Sequence, residues 1–319
     1  MRTTARRSFL GQLSGAGLVA MAMAPAAASL RTSAAVPRGW KTAIGLNGFH
    51  SGAAKYHKNY PLWEVLDFAA REGFDGVELV SDWPQGGYPP GNDRDRVHAL
   101  RRLYDGYGLR IFSIQLGADG AFAPDASARA AWIAMVRDRL QLARQLGCAC
   151  VGLWPGGGLR GQTLEEAMSR LTASFREVAT MAADAGILAA VEIEPPFEFR
   201  TEEHLHRILD GTNHPNLKAI FDPSHFDLMN GSTGRPHEML QRLGVERIGY
   251  LHLTDTDGTL RDGGTSKHLP CGDGHAQVAT ALKVLREGGF KGWCMIDAWE
   301  VPDAYDACRK GLRMIRGAR

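Results

Sequence analysis

Four short segments of the chain each place a metal-binding side chain at the end of an apolar, β-prone run. A turn or loop follows soon after each one, and the segments read Val191-Glu192, Phe221-Asp222, Leu251-His252 and Ile296-Asp297. Carboxylates and an imidazole together suit a divalent cation that holds an oxygen-rich substrate. Burying an unpaired carboxylate is unfavourable, so such residues are usually ion-paired or metal-bound. We therefore predict one metal site, formed by Glu192, Asp222, His252 and Asp297.

Eight apolar runs alternate with helical patterns from Lys41 onward. The runs cover residues 42–46, 76–80, 110–115, 149–153, 188–193, 218–221, 248–253 and 293–296. Between them apolar residues recur with a spacing near 3.6, and several of these helical stretches end at a glycine, such as Gly73 or Gly147. Continuous apolar strands are typical of a parallel sheet that helices cover on its outer face. The sequence therefore predicts an α/β fold, a single (β/α)8 TIM barrel over residues 41–319.

The main alternative to the barrel is an open, doubly wound sheet. The glycines after the first strand, Gly45 and Gly48, have the wrong spacing for a dinucleotide-binding loop, which favours the barrel. In a TIM barrel the catalytic residues lie at the carboxyl ends of the strands. The four predicted ligands fall there, on the fifth to eighth strands.

Each predicted ligand also has a purely structural interpretation. Glu192 could form a salt bridge across the barrel mouth, and Asp222 could cap the helix that follows it. His252 could be a core histidine of an apolar strand. Glu300 is a rival to Asp297, although Asp297 stands at the end of the strand and Glu300 lies in the loop.

Further polar and aromatic residues are candidates for substrate binding. His225 follows Asp222 by three residues, and His268 lies in a long glycine-rich loop after His252 that is typical of a substrate cover. Glu78 ends the second strand and could contact substrate hydroxyls, or else form a structural ion pair. Trp154 could form an apolar wall against a sugar ring.

The first residues predict export from the cytoplasm. Arg6 and Arg7, followed by Ser-Phe-Leu and a Gly/Ala-rich stretch, indicate a twin-arginine signal peptide over residues 1–28 and a linker over residues 29–40. We expect the twin-arginine export machinery as a partner and a periplasmic or secreted location. The alternative is a membrane helix, but the glycines and Pro25 leave an apolar run shorter than the ~20 residues that a stable membrane span needs.

Composition argues against several other classes of protein. A net charge of +2 gives no electrostatic footprint for nucleic acid. The five cysteines are odd in number and form no Cys-x-x-Cys pair, so the chain is not a disulfide scaffold.

With these motifs the chain resembles the sugar phosphate isomerase/epimerase superfamily, which has a xylose isomerase-like TIM barrel. The resemblance covers residues 42–314. In its ketose 3-epimerase branch a substrate-binding Glu follows the strand-five Glu by six residues and comes after a Phe, as Glu198 follows Phe197 here. The branch also has a His three residues after the metal-binding Asp, which matches His225, and a closing loop that matches residues 270–274.

The resemblance implies a cofactor and a reaction. It implies one divalent metal ion, usually Mn²⁺ with Co²⁺, Mg²⁺ or Zn²⁺ as alternatives, bound by Glu192, Asp222, His252 and Asp297. Asp297 stands where the family usually has Glu. The implied reaction is proton transfer next to a carbonyl of a sugar or cyclitol, with Glu192 and Asp297 as the catalytic residues that remove and return the proton.

Several alternatives to this isomerase or epimerase remain open. The same intermediate could lead to a lyase or dehydratase acting on a 3-keto-glycoside or an inosose. A non-catalytic periplasmic sugar-binding barrel is the alternative from another class. An apurinic-site endonuclease would need more metal-binding residues and a basic face, neither of which is evident. Assembly into a homo-oligomer is also an open alternative, because barrels of this type often form dimers.

Overall fold

The computed structural model describes residues 39–80, 87–117, 119–229, 235–262 and 264–318. The predicted signal peptide (1–28) and nearly all of the predicted linker (29–40) lie outside these residues. No helix in the described part of the chain is long and apolar enough to cross a membrane.

Eight parallel strands pair in the order of the chain, and the last pairs with the first to close a barrel. They are β1 (Lys41–Gly45), β2 (Gly76–Leu79), β3 (Arg110–Gln115), β4 (Cys150–Leu153), β5 (Leu188–Val191), β6 (Leu217–Phe221), β7 (Ile248–Leu253) and β8 (Trp293–Ile296). The predicted TIM barrel is confirmed. β5 ends two residues earlier than predicted, so Glu192 is the first residue after the strand.

In the described part of the chain, nine helices connect the strands and a tenth follows β8. They are α1 (Leu46–Tyr56), α2 (Leu62–Glu72), α3 (Arg94–Gly106), α4 (Ala126–Leu146), α5 (Leu164–Asp184), α6 (Glu202–Thr212), α7 (Pro223–Leu228), α8 (Pro236–Leu243), α9 (Val278–Glu287) and α10 (Ala304–Gly317). Gly73 and Gly147 end α2 and α4 with φ of 80° and 78°, a left-handed conformation that glycine adopts without strain.

A small apolar cluster fills the inside of the barrel, deeper than the carboxyl ends of the strands. Phe112 on β3 stacks on Trp293 of β8 at 4.7 Å and meets Tyr250 of β7 edge-on at 5.4 Å. Because β3 is not a neighbour of β7 or β8, these contacts cross the barrel interior.

The inward-facing side of the strands continues toward their carboxyl ends into the predicted site. Residues two apart in a strand face the same side. The interior cluster includes Ala190, Ile220, Tyr250 and Met295. Two residues after each of them come, in order, Glu192, Asp222, His252 and Asp297. The strands therefore aim all four predicted ligands into the carboxyl end of the barrel.

Gly76 on β2 gives Trp293 room inside the barrel. A Cβ at this position would lie far inside van der Waals contact with the carbonyl oxygen of Arg110 and 3.1 Å from the Trp293 ring. We expect Gly76→Ala to lower the free energy of unfolding by about 2 kcal/mol or more, because overpacking of this kind shifts neighbouring strands. Urea denaturation of the two proteins would measure the change.

Gly106 provides the matched control. It is exposed at the end of α3, and a Cβ there would meet no atom within 4 Å. Gly106→Ala should leave the stability unchanged or raise it by up to ~1 kcal/mol, because alanine favours helix. Equal stability of Gly76→Ala and the wild type would contradict the close packing between β2, β3 and Trp293.

Candidate metal centre

Three of the four predicted ligands meet at the carboxyl end of the barrel. Glu192, Asp222 and His252 each place one ligand atom within 4.8 Å of the others. All three are buried, with 4%, 0% and 0% of their surface exposed. These oxygen and nitrogen donors are the types that Mn²⁺, Co²⁺ and Zn²⁺ accept in proteins. The arrangement can hold a divalent cation, and the binding of one stays a prediction.

Asp222 serves the fold and the site at once. Its Oδ1 caps α7 by accepting hydrogen bonds from the backbone N–H of Ser224 at 2.7 Å and of His225 at 3.3 Å. Its Oδ2 is buried and has no hydrogen-bond partner among the described residues. Leaving a buried carboxylate oxygen unpartnered is unfavourable. A cation at this position would remove that penalty, so the helix cap and the ligand role are compatible.

His252 lies between two buried carboxylates. Its Nδ1 is 3.0 Å from Oε1 of Glu192, and its Nε2 is 3.0 Å from Oε2 of Glu78. Burial alone would lower the pKa of His252, but the charges of Glu192 and Glu78 raise it well above the usual range. Both ring nitrogens therefore face carboxylates that favour the protonated imidazole, and a cation that binds Nδ1 has to compete with a proton there.

Glu192 is held by an indole as well as by His252. The Nε1–H of Trp154 donates to Oε2 of Glu192 at 2.9 Å, and the Trp154 ring stacks on His252 with centroids 6.1 Å apart. Burial raises the pKa of Glu192 to about 7, against the opposing effect of His252. Trp154 was predicted to bind substrate, and in the structure its polar edge orients the Glu192 carboxylate.

Asp297 lies beside the three-residue cluster rather than within it. Its Oδ2 is 3.7 Å from Nδ1 of His252. The side-chain amide of Asn47 donates to both Asp297 oxygens, at 3.1 and 3.2 Å, and the Trp299 backbone N–H donates to Oδ1 at 2.8 Å. Burial would raise the pKa of Asp297, but His268 and His252 hold it well below the usual range. Asp297 is thus an ionised carboxylate with a fixed orientation.

The rival candidate, Glu300, points elsewhere. It pairs with Lys55 at 2.5 Å and lies 3.8 Å from Nε of Arg261. The structure therefore brings Asp297, and not Glu300, to the cluster. Asn47 was missed by sequence reasoning. Its signal was a polar residue two positions after the end of β1, at the edge of the barrel where the other site residues also lie.

A second group of buried side chains adjoins the first. Asp222 belongs to it together with His225 and His268, again with ligand atoms within 4.8 Å of one another. Nδ1 of His225 is 2.6 Å from the Ser266 hydroxyl, and its Nε2 is 3.3 Å from Glu194. The two histidines predicted to bind substrate therefore do lie beside the predicted metal ligands.

His268 is buried with no hydrogen-bond partner for either ring nitrogen in the described part of the chain. Its Nδ1 is 3.8 Å from Oδ1 of Asp297, which is too far for a hydrogen bond but close enough for charge attraction. Burial would lower its pKa, but Asp297, Asp222 and Glu194 raise it to about 9. His268 is therefore a buried cation near neutral pH whose N–H groups are available to a ligand.

The loop that carries His268 is fixed by side chains at two points. Asp255 accepts hydrogen bonds from the backbone N–H groups of Gly272 at 2.9 Å and Ala276 at 3.0 Å. Arg261 donates from Nη2 to the carbonyl oxygen of His268 at 3.1 Å and from Nη1 to the Tyr56 hydroxyl at 3.4 Å. The long loop after β7 is therefore tied to itself and to α1, and His268 is held in the site.

The remaining predicted substrate residues lie at different depths. Glu78 is 1% exposed and engaged by protein donors on both oxygens. Glu198 is half-buried in the loop after β5, next to Phe197. Glu194, two residues after Glu192, accepts a hydrogen bond from the Thr265 hydroxyl at 2.5 Å.

The family model described as xylose isomerase-like TIM barrel matches residues 66–318. An uncharacterized protein of Methanocaldococcus jannaschii is 26% identical over 249 residues, covering 76% of this chain and 81% of that protein. The L-ribulose-5-phosphate 3-epimerase UlaE of Escherichia coli is 23% identical over 255 residues, covering 76% of this chain and 86% of the epimerase.

A solved structure shares the fold. The crystal structure of the IOLI protein with a bound zinc atom matches with a TM-score of 0.68 and 17% identity, covering 87% of this chain and 97% of that one. At this identity the likeness shows the architecture, which agrees with the closed barrel described above.

The raised pKa of His268 predicts a pH dependence of stability in the metal-free protein. Because the folded pKa of about 9 lies above the unfolded value, the stabilisation is fully present below about pH 6.5 and is lost as the pH rises to about 9. We expect the free energy of unfolding of the wild type, minus that of His268→Gln, to fall by about 3 kcal/mol over this range. Urea denaturation at several pH values, with a chelator present, would measure it.

The exposed His98 of α3 is the control. Substitution of an exposed side chain typically changes the free energy of unfolding by less than about 0.5 kcal/mol, so the difference for His98→Gln should stay within that range at each pH. A flat difference for His268→Gln as well would show that the carboxylates around His268 do not hold a proton on it.

Proposed function

Because the chain belongs to the xylose isomerase-like TIM barrel family, we propose that it is a divalent-metal-dependent isomerase or epimerase of sugars or related keto-sugars. The observation that carries the proposal is the cluster of Glu192, Asp222 and His252, with Asp297 beside it, at the carboxyl end of the barrel. Active sites of TIM barrels lie at this end.

The donors fit a divalent cation. Oδ2 of Asp222 is buried and accepts no hydrogen bond from the part of the chain that the structure describes, and Nδ1 of His252 and the Glu192 carboxylate lie beside it. Mixed carboxylate and imidazole donors suit Mn²⁺, Co²⁺ or Zn²⁺ better than they suit Ca²⁺. Glu192, Asp222 and His252 would hold the ion, with Asp297 as the fourth ligand. When bound, the ion would polarise a carbonyl group and make the adjacent C–H more acidic.

The reaction that this set of residues supports is proton transfer beside that carbonyl. One carboxylate takes the proton from the carbon, and the C–H electron pair moves into an enediolate. Glu192 and Asp297 come from β5 and β8, which are three strands apart in the barrel, so they reach a bound substrate from different directions. Return of a proton to the same carbon on its opposite face, from the second carboxyl group in its protonated form, gives epimerisation. Return of the abstracted proton to the neighbouring carbon by the first carboxyl group gives isomerisation.

The other polar side chains have supporting roles in this proposal. The N–H groups of His268 have no partner among the described residues and can donate to the developing oxyanion. His225 and Glu198 are proposed to bind substrate hydroxyls. Asn47 and Trp154 orient the two catalytic carboxylates through their N–H groups.

An unphosphorylated substrate is part of the proposal. Three cationic side chains near the site, one at the end of α1 and two in the loop after β7, already lie beside carboxylates. Lys55 and Arg261 lie beside Glu300, and Lys267 pairs with Asp257. A phosphate would have to compete with these ion pairs, so a neutral sugar or a keto-glycoside fits this edge of the barrel better.

Deuterium uptake together with metal analysis tests the proposal. The protein would be reconstituted with Mn²⁺, Co²⁺ or Zn²⁺ and incubated in D₂O with ketoses, their phosphates and 3-keto-glycosides. We expect deuterium to enter beside the carbonyl of an unphosphorylated substrate. Glu192→Gln or Asp297→Asn should slow this exchange by about 10²–10⁴-fold, because each removes a carboxylate that moves the proton.

The exposed Glu203→Gln on α6 is the matched control and should exchange at the wild-type rate. Metal-loaded protein that exchanges no substrate proton would contradict an enzyme of this kind and favour a sugar-binding barrel. Exchange accompanied by loss of a hydroxyl or glycosidic oxygen would indicate a lyase. A protein that takes up no metal would contradict the ligand assignment itself.

A further inference from the structure

The Glu78 carboxylate lies on the far side of His252 from the candidate ligands. We infer that Glu78 is a positioning residue that fixes the His252 ring, so that Nδ1 faces the cation, and that it does not touch the substrate. This inference rests on the metal-dependent function proposed above. It concerns the affinity for the metal, which can be measured without any substrate.

Protein donors already engage both oxygens of Glu78. Oε1 accepts a hydrogen bond from the Tyr250 hydroxyl at 2.8 Å. Oε2 accepts from Nε2 of Gln115 at 3.1 Å and from Nε2 of His252 at 3.0 Å. The residue is 1% exposed. A substrate hydroxyl would have to displace one of these buried donors, which makes a direct substrate contact unfavourable.

The contact between Glu78 and His252 crosses the inside of the barrel. Glu78 lies on β2 and pairs in register with Gly45 of β1 and Ser113 of β3. His252 lies on β7, which is not a neighbour of β2. Closure of the barrel therefore brings the Glu78 carboxylate to the His252 imidazole.

Two successive inward-facing residues of β7 share the same carboxylate. Tyr250 and His252 both donate to Glu78, and their rings meet at 5.3 Å with an interplanar angle of 65°. On its other side, His252 stacks against Trp154. The stacking on Trp154 and the hydrogen bond to Glu78 together hold the His252 imidazole in one orientation.

This orientation decides which nitrogen is available to a metal. With Nε2–H donated to Glu78, the lone pair of the neutral imidazole lies on Nδ1, the nitrogen that faces Glu192. Histidine ligands commonly donate their other N–H to a carboxylate, which fixes the tautomer and makes the ligand nitrogen more basic. Glu78 is the described residue whose carboxylate is placed to do this for His252.

The affinity of the metal-free protein for Co²⁺ and Zn²⁺ tests the inference. Glu78→Gln keeps the shape of the side chain but removes its charge and one of its two acceptor oxygens. We expect it to weaken binding of both ions by about 10–100-fold, the usual effect of losing such a partner. If Glu78→Gln does not fold, Glu78→Asp serves instead, because its carboxylate is one methylene further from His252 and should also bind more weakly.

Tyr250→Phe is the matched control. It removes a donor to Glu78 but leaves the hydrogen bond from His252 in place. Its metal affinity should stay within about threefold of the wild type, since the imidazole keeps its carboxylate partner. In zinc-loaded protein labelled with ¹⁵N-histidine, the wild type and Tyr250→Phe should show a protonated Nε2 on His252. Glu78→Gln should lose or broaden that signal.

A folded Glu78→Gln protein with wild-type metal affinity would overturn the inference while leaving the proposed function intact. If that protein also had a raised KM, Glu78 would be a substrate-binding residue. A wild-type protein that binds no metal would overturn both proposals. Normal metal binding without substrate exchange would contradict only the proposed reaction.

Discussion

Neutralising the carboxylates that are buried together is the constraint on which the rest of this site depends. Glu78, Glu192, Asp222 and Asp297 are at most 5% exposed and lie within a few side chains of one another. Like charges repel each other strongly when they are buried away from water, and burial disfavours the ionised form of each carboxylate. Imidazole rings and N–H donors lie among these oxygens, and Oδ2 of Asp222 has no hydrogen-bond partner among the described residues, so a cation would fit there.

The two proposed catalytic carboxylates differ because their neighbours differ. Glu192 accepts hydrogen bonds from the Trp154 indole and from His252, and burial still raises its pKa to about 7. Asp297 has two Asn47 contacts, a backbone N–H and the nearby His268, and its pKa is held low. Similar side chains therefore acquire different proton affinities from the donors around them.

Much of the barrel could be predicted because its strands and helices have strong local signals. β3, β7 and β8 have the predicted bounds, and α2 and α4 end directly before Gly73 and Gly147, the glycines at which helices were predicted to end. α1 was not predicted. It follows β1 with no connecting turn, contains two glycines, and its N-cap, Gly45, offers no side-chain hydrogen bond, so the usual signals of a helix start are missing.

Apolar periodicity and turn residues act over short distances, so the order of amino acids was enough to place Glu192, Asp222, His252 and Asp297 at the carboxyl ends of the strands and to predict that they converge. Which donor meets which oxygen depends instead on the three-dimensional packing. Asn47 meets Asp297 across 250 residues of sequence, and His252 meets Glu78 across 174. Such pairs depend on how the closed sheet is staggered and which way each side chain turns, and no local pattern encodes either.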